Sequence, residues 1–257
     1  MREQLEALMR QAGGVILSAQ HIDQAVSEKD GPANFVTTYD VAVQHMLREG
    51  LLAMEPKAQF VGEEEGDQGD VSRGTSFVVD PIDGTTNFIK GCNSSAISVA
   101  MLEDGQPVVG AVYDPYRDEF FYAEKGKGAT LNGRPIHVSE EDLSQSLVCM
   151  GTSPYVPELH ARTFRLTEKL MELALDLRRS GSAVIDLCQV ARGAAGLMFE
   201  FSLYPWDHAA AGFIITEAGG VITQMDGSPI RYDSRCSALA GTKQAHAEFL
   251  AAGLHKI

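Results

Sequence analysis

The chain has 257 residues, 44% of them apolar and 22% charged, which suits one large domain or two modest ones around a real core and rules out a disordered chain. A formal net charge of −14 argues against nucleic-acid binding through a basic face, and an anionic substrate would need a locally positive centre, such as a bound divalent metal. The four cysteines, Cys92, Cys149, Cys188 and Cys236, form no C-x-x-C pair, and with no signal peptide and no apolar run near the roughly 20 residues that span a bilayer, a soluble cytoplasmic protein is expected.

Leu5, Leu8, Met9, Ala12, Val15, Ile16 and Ala19 recur at three- and four-residue steps and predict an opening amphipathic helix. A polar loop at 27–34 follows. An extended Phe35-Val36-Thr37 then enters a second helix, with Asp40 in its first turn, reaching about Met54. Residues 59–62 lead as a strand into an acidic loop, and 76–80 read as an apolar, β-branched strand. Strands at 94–102 and 107–113 flank the hairpin turn Glu103-Asp104-Gly105; 119–123 and the Asn132-Gly133 turn extend this antiparallel region. Beyond a soft boundary at 138–143 the pattern alternates. It predicts a strand at 146–150, a helix from Pro157 to about Leu175, and helices at 183–190 and 206–218. Strands at 221–224 and 237–240 and a helix at 244–254 close the chain. The reading is mixed α and β, with an N-terminal α+β half (1–140) and a C-terminal α/β half (141–257).

The most informative segment is Asp80-Pro81-Ile82-Asp83-Gly84-Thr85-Thr86-Asn87-Phe88. Asp80 stands at a strand's carboxyl end, Pro81 is expected to force the chain out of the sheet, and a helix starts at Thr85. Two carboxylates, which suit hard cations, therefore meet the outward N–H groups of Gly84, Thr85 and Thr86, which suit phosphate. The plain alternative is a connector with Asp83 as a solvated cap. Gly62-Glu63-Glu64-Glu65 places further carboxylates after a strand, and Trp206-Asp207-His208-Ala209-Ala210-Ala211-Gly212 opens a helix rich in small residues. Each has its own plain reading, as a solvated turn and as a helix-dipole charge with close packing.

Residues 62–64, 80–88 and 206–212 together resemble the inositol monophosphatase family. That family carries Gly-Glu-Glu, Asp-Pro-Ile-Asp-Gly-Thr-Thr-Asn-Phe and Trp-Asp-x-Ala-Ala/Gly-x-Gly in this order at similar spacing. The likeness runs from the first helix to the last. It implies a layered αβαβα sandwich with the active site between its halves, and commonly a homodimer. It also implies two or three Mg²⁺ ions. Glu63, Asp80 and the Ile82 carbonyl would hold one, Asp80, Asp83 and Asp207 a second, and Glu63 would help retain a third. An all-oxygen ligand set independently favours Mg²⁺ or Mn²⁺ over zinc. Thr85 and Asp40 match the family's water-positioning pair, Asp40 ending Val36-Thr37-Thr38-Tyr39-Asp40, which resembles Val-Thr-x-x-Asp.

The implied reaction is hydrolysis of a myo-inositol monophosphate, or a related sugar or polyol phosphate, by in-line attack of a metal-activated water. No nucleophile motif suggests a phosphoenzyme: G-x-S-x-G is absent, and Gly126-Lys127-Gly128 reads as a turn. His208 should point away from Asp207 as a packing or surface residue. Gly181-Ser182-Ala183 resembles the family's sugar-pocket segment, and Glu200 stands where inositol-type members carry a hydroxyl-binding Glu; its plain alternative is a strand-end surface residue. Lys29 matches a loop lysine near the metals in related enzymes. Lys90 replaces a frequent His, and Tyr204-Pro205 also departs from animal members; both are expected to border the pocket. Fructose-1,6-bisphosphatase, histidinol-phosphate phosphatase and 3′-phosphoadenosine phosphatase activities are alternatives, the last disfavoured by Thr86-Asn87 where that branch has Lys-Glu. An inactive binding protein on this fold is a reading from another class, disfavoured because Glu63, Asp80, Asp83, Thr85 and Asp207 are all present.

Overall fold

The computed structural model describes residues 1–22, 25–28, 35–64 and 69–257. Lys29 and Glu65 lie outside the described residues.

Along the chain the elements are α1 (Arg2–Leu17), β1 (Val26–Glu28), β2 (Phe35–Thr37), α2 (Thr38–Met54), β3 (Gln59–Gly62), β4 (Thr75–Asp83), α3 (Thr85–Ile89), β5 (Ala96–Glu103), β6 (Gln106–Asp114), β7 (Glu119–Glu124), β8 (Ala129–Leu131) and β9 (Arg134–Ile136). There follow β10 (Leu147–Met150), α4 (Pro157–Met171), β11 (Asp176–Arg178), α5 (Ala183–Ala191), β12 (Leu197–Leu203), α6 (Pro205–Glu217), β13 (Val221–Thr223), β14 (Cys236–Gly241) and α7 (Lys243–Ala251). Strands β3 to β9 form a seven-stranded sheet in sequence order, parallel only between β3 and β4. A five-stranded sheet has the order β11-β10-β12-β14-β13, and β1 pairs with β2 alone.

Alternation along β4 shows how the layers arise, because successive side chains leave a strand on opposite faces. Phe77 and Val79 join Leu5, Met9, Val43, Leu47 and Leu51, the stripes of α1 and α2, on one face. Val78, on the other face, packs with Val184, Leu187, Ala210 and Ile214 of α5 and α6. The same inner core includes Cys149, Met198 and Ala240 of the second sheet. Leu166, Leu170 and Phe249 of α4 and α7 cover that sheet's outer face. Helices, sheet, helices, sheet, helices: the layered αβαβα sandwich is present. The boundary expected at 138–143 falls between β9 and β10, on the connection between the two sheets.

Several local expectations change. Pro81 does not end β4: Asp80 pairs with Ser98 and Asp83 with Ala96 across a register shift, so Pro81 and Ile82 sit in a bulge, where a missing donor costs the ladder nothing. The loop expected from residue 27 begins as β1, paired with β2. Helix α4 ends at Met171, because Asp176–Arg178 is claimed as a strand parallel to β10. Strand β12 is not among the predicted elements, although Phe199, Phe201 and Leu203 alternate with Glu200 and Ser202; all seven of its residues are buried.

Candidate active site

Parallel pairing of β3 with β4, in which Gly62 partners Val79, puts Glu63, just past the end of β3, beside Asp80 within β4. The Glu63 N–H still donates to the Val79 carbonyl at 3.1 Å. Opposite Asp80, Ser98 uses its hydroxyl to hold the Trp206 carbonyl at 3.1 Å, which fixes the start of α6 against the sheet. Asp207, in the first turn of α6, accepts from the Tyr204 N–H at 2.7 Å, its carboxylate reaching back to the residue before the helix. The bulge at Pro81 and Ile82 brings Asp83 to the start of α5, where it accepts from the Ser182 hydroxyl and, at 2.8 Å, from the Val184 N–H. Ligand oxygens of Asp80, Asp83 and Asp207 consequently lie within 4.8 Å of one another. Glu63 lines the same cavity without joining that tightest group.

These carboxylates are almost wholly buried: Asp80 is 1% exposed and Asp207 8%. Burial, then the charges of Glu63, Asp83 and Asp207, raises the Asp80 carboxyl well above its usual range. Asp207 is raised well above it too, by burial and then by Asp83 and Glu63. Burial raises Asp83 to about 7 against the opposing bonds from Ser182 and Val184. A cluster this resistant to ionisation holds protons or a cation. An all-oxygen, hard-donor set at this spacing fits a divalent ion such as Mg²⁺.

Gly84, with φ of 85°, turns the chain between β4 and α3, and a Cβ there would lie 3.0 Å from the Ser94 carbonyl. Behind it, Thr85 Oγ1 lies 3.2 Å from Asp40 Oδ1 and 3.1 Å from the Ile82 carbonyl. Asp40 is fully buried, its other oxygen taking the Thr37 N–H at 2.8 Å and the Thr37 hydroxyl. The capping box that starts α2 thus also orients the carboxylate behind Thr85.

A cavity of about 250 Å³ opens beside the cluster, lined by Glu63, Ile82, Gly84, Thr85 and Thr86 on one side and by Gly181, Ser182, Ala183 and Glu200 on the other. Glu200 is 6% exposed rather than a surface residue; burial pushes its carboxyl up to about 7, against bonds from Ser153. Oε1 takes both the Ser153 N–H (2.8 Å) and hydroxyl (3.0 Å). A Cβ at Gly151 would stand 1.9 Å from Glu200 Oε2, so only glycine leaves room for this carboxylate.

Every expected site residue except Asp40 lines this cavity, and Asp40 reaches it through Thr85. His208 is fully buried in the packing, one of the two places, core or surface, expected for it. Lys90, Tyr204 and Pro205 do not line the cavity, because Lys90 caps α3 on its exposed side, Tyr204 stacks on Trp206 and Pro205 is buried at the start of α6. Sequence reasoning missed Asn87 as a brace, although it was quoted within the central segment. Its Nδ2 donates to the Ser94 (2.7 Å) and Ser180 (3.0 Å) carbonyls and ties α3 to the 180–182 loop. Asp186, Tyr155 and Arg179 were also missed; Arg179 is the one cationic side chain among the described residues of the lining. Only the fold brings these positions to the cavity.

The sequence model of the inositol monophosphatase family matches residues 1–257. Inositol monophosphatase 1 of Bos taurus is 35% identical over 251 residues, covering 95% of this chain and 90% of its own. Nus factor SuhB of Escherichia coli is 36% identical over 221 residues, covering 85% of this chain and 82% of its own. Among solved structures, a staphylococcal inositol monophosphatase (SaIMPase-II) with inositol monophosphate bound is similar at 27% identity and a TM-score of 0.85, over 100% of this chain and 95% of that one.

Proposed function

The chain belongs to the inositol monophosphatase family, and we propose that this phosphatase is a Mg²⁺-dependent phosphomonoesterase acting on inositol monophosphate or a closely related polyol or sugar phosphate. The convergence of Asp80, Asp83 and Asp207 beside the Thr85–Asp40 pair carries the reading. With the Ile82 carbonyl and Glu63 they would hold two or three ions. Bound Mg²⁺ supplies Lewis acidity, neutralising phosphoryl oxygens and making water a nucleophile near neutral pH.

The chain's own groups do the rest. Thr85 donates to Asp40, which leaves its oxygen lone pairs free to accept a proton from a water aligned with phosphorus; Asp40 is the base behind it. Gly84, Thr85 and Thr86, at the start of α3, receive the phosphate. Ser153 occupies Oε1 of Glu200, and the remaining oxygen faces the cavity to accept substrate hydroxyls. The inositol monophosphate bound to the staphylococcal relative supports this substrate class.

We also propose a homodimer. Phe164 and Met171, two helical turns apart on α4, are 59% and 65% exposed, and Leu175 continues the patch. No described helix is long and apolar enough to cross a membrane, and all four cysteines are free, which supports a reducing, cytoplasmic setting.

Phosphate release from inositol 1-phosphate, fructose 1,6-bisphosphate, histidinol phosphate and 3′-phosphoadenosine 5′-phosphate, with and without Mg²⁺, tests the reading. Preference for inositol 1-phosphate is the expected result. Broad turnover would remove the specificity assigned to Glu200, and no magnesium-dependent release would remove the activity.

A further inference from the structure

A second cavity, of about 420 Å³, lies on the outer side of the five-stranded sheet and shares no described lining residue with the catalytic one. Helix α4 contributes Leu159 and Arg162, β12 contributes Phe201, and Arg235 immediately precedes β14. Met225 follows β13, and His255 comes from the last turn of the chain.

Two arginines face this space, in a chain with 35 acidic and 21 basic residues, and neither meets a carboxylate among the described residues. Arg162 is fixed in place: its guanidinium lies 4.4 Å over the Phe201 ring, and Nη2 donates to the His255 carbonyl at 2.7 Å. Its other N–H groups have no partner among the described residues. Arg235 stacks 4.8 Å over Tyr204 and 5.2 Å over Tyr155, a residue that also lines the catalytic cavity. Nδ1 of His255, on the cavity's rim, is buried without a hydrogen-bond partner among the described residues, so the positive charge of the space rests on the arginines.

Asp226 also lines the space, but its Oδ1 is taken by the Ser228 N–H (2.9 Å) and hydroxyl (2.6 Å). Two guanidinium groups against one carboxylate leave a net positive chamber. Leu159, Phe201 and Met225 give it an apolar floor.

We propose that this cavity binds a small organic oxyanion, its phosphate or carboxylate head on Arg162 and Arg235 and its apolar body on Phe201 and Met225. Guanidinium groups with open N–H forks match such heads. The catalytic cavity is a poor competitor in metal-free protein, because Glu63, Asp80, Asp83, Asp186, Glu200 and Asp207 line it against Arg179 alone.

Isothermal titration of EDTA-dialysed protein with phenylphosphonate, and separately with phenylacetate, tests the site. Saturable one-site binding of either probe is expected. Arg162→Gln and Arg235→Gln should each weaken it roughly tenfold or more, the loss of a charge-assisted hydrogen bond. Arg162→Lys should retain more affinity than Arg162→Gln, and Arg179→Gln should match wild type. Binding of phenylphosphonate alone would assign phosphate as the head, and binding of both would assign either oxyanion. Absence of saturable binding by both probes, or binding lost in Arg179→Gln and kept in Arg162→Gln, would overturn the proposal.

Discussion

Thr85 Oγ1 lies 3.2 Å from Asp40 Oδ1, a hydroxyl at the start of α3 facing a carboxylate in the first turn of α2, 45 residues earlier. Thr37 holds the other oxygen of that carboxylate, so the pair is aimed before any substrate arrives. Such pre-organisation is what proton transfer needs, since a misaligned base gains little from being close.

Thr85→Ala should therefore lower kcat by about 10²-fold or more, within the usual range for a general-base contribution. Thr85→Ser keeps the hydroxyl and should recover most of the rate. Steady-state kinetics on inositol 1-phosphate check this. Equal losses in both variants would assign Thr85 to packing instead of proton handling.

The pH dependence of stability reports on Glu200. Its folded carboxyl titrates at about 7 against an ordinary 4.5, mainly because of burial. A raised folded value means that the folded state keeps its proton while the unfolded chain has lost it. The contribution is thus fully favourable below about 4.5 and is lost as pH rises to about 7, by about 3 kcal/mol in total. Glu200→Gln removes the penalty while its amide oxygen can still accept from Ser153. In EDTA, this variant should melt higher than wild type at pH 8 and close to it at pH 4.5. Thermal melts at the two pH values decide the matter; a difference that is the same at both would refute the assignment.

The patch on α4 makes a separate prediction. Phe164→Glu combined with Met171→Lys should convert a dimer to a monomer while leaving the fold intact, because both side chains already face outward. Light scattering on the two proteins measures it. A monomeric wild type would contradict the dimer.

Much of the site was legible in the chain because its residues cluster in short segments. Asp80 to Thr86 is one continuous segment, a bulged strand end, the turn at Gly84 and a helix start, and that is local chemistry. The pairing of β3 with β4 that brings Glu63 to Asp80 is not local, nor is the Ser98 to Trp206 bond that sets Asp207 beside them. Segment order and family likeness supplied what spacing could not. Strand β11 was illegible because three residues beside a helix end carry no pattern. Strand β12 does carry one, Phe199, Phe201 and Leu203 alternating with Glu200 and Ser202, but its full burial on both faces is set by the packing of the layers. Tyr155, Arg179 and Asp186 reach the cavity only through the packing of the second sheet and α5.

The most direct test of the central claim is a Mg²⁺ titration of phosphate release from inositol 1-phosphate by wild type and Asp207→Asn, with a thermal melt of each. Wild type should be inactive in EDTA and saturate with Mg²⁺. The variant should lose on the order of 10³-fold in rate, equivalent to several kcal/mol of lost transition-state stabilisation, while remaining folded. Turnover that ignores EDTA, or a folded Asp207→Asn protein with unchanged rate and unchanged Mg²⁺ dependence, would contradict the account.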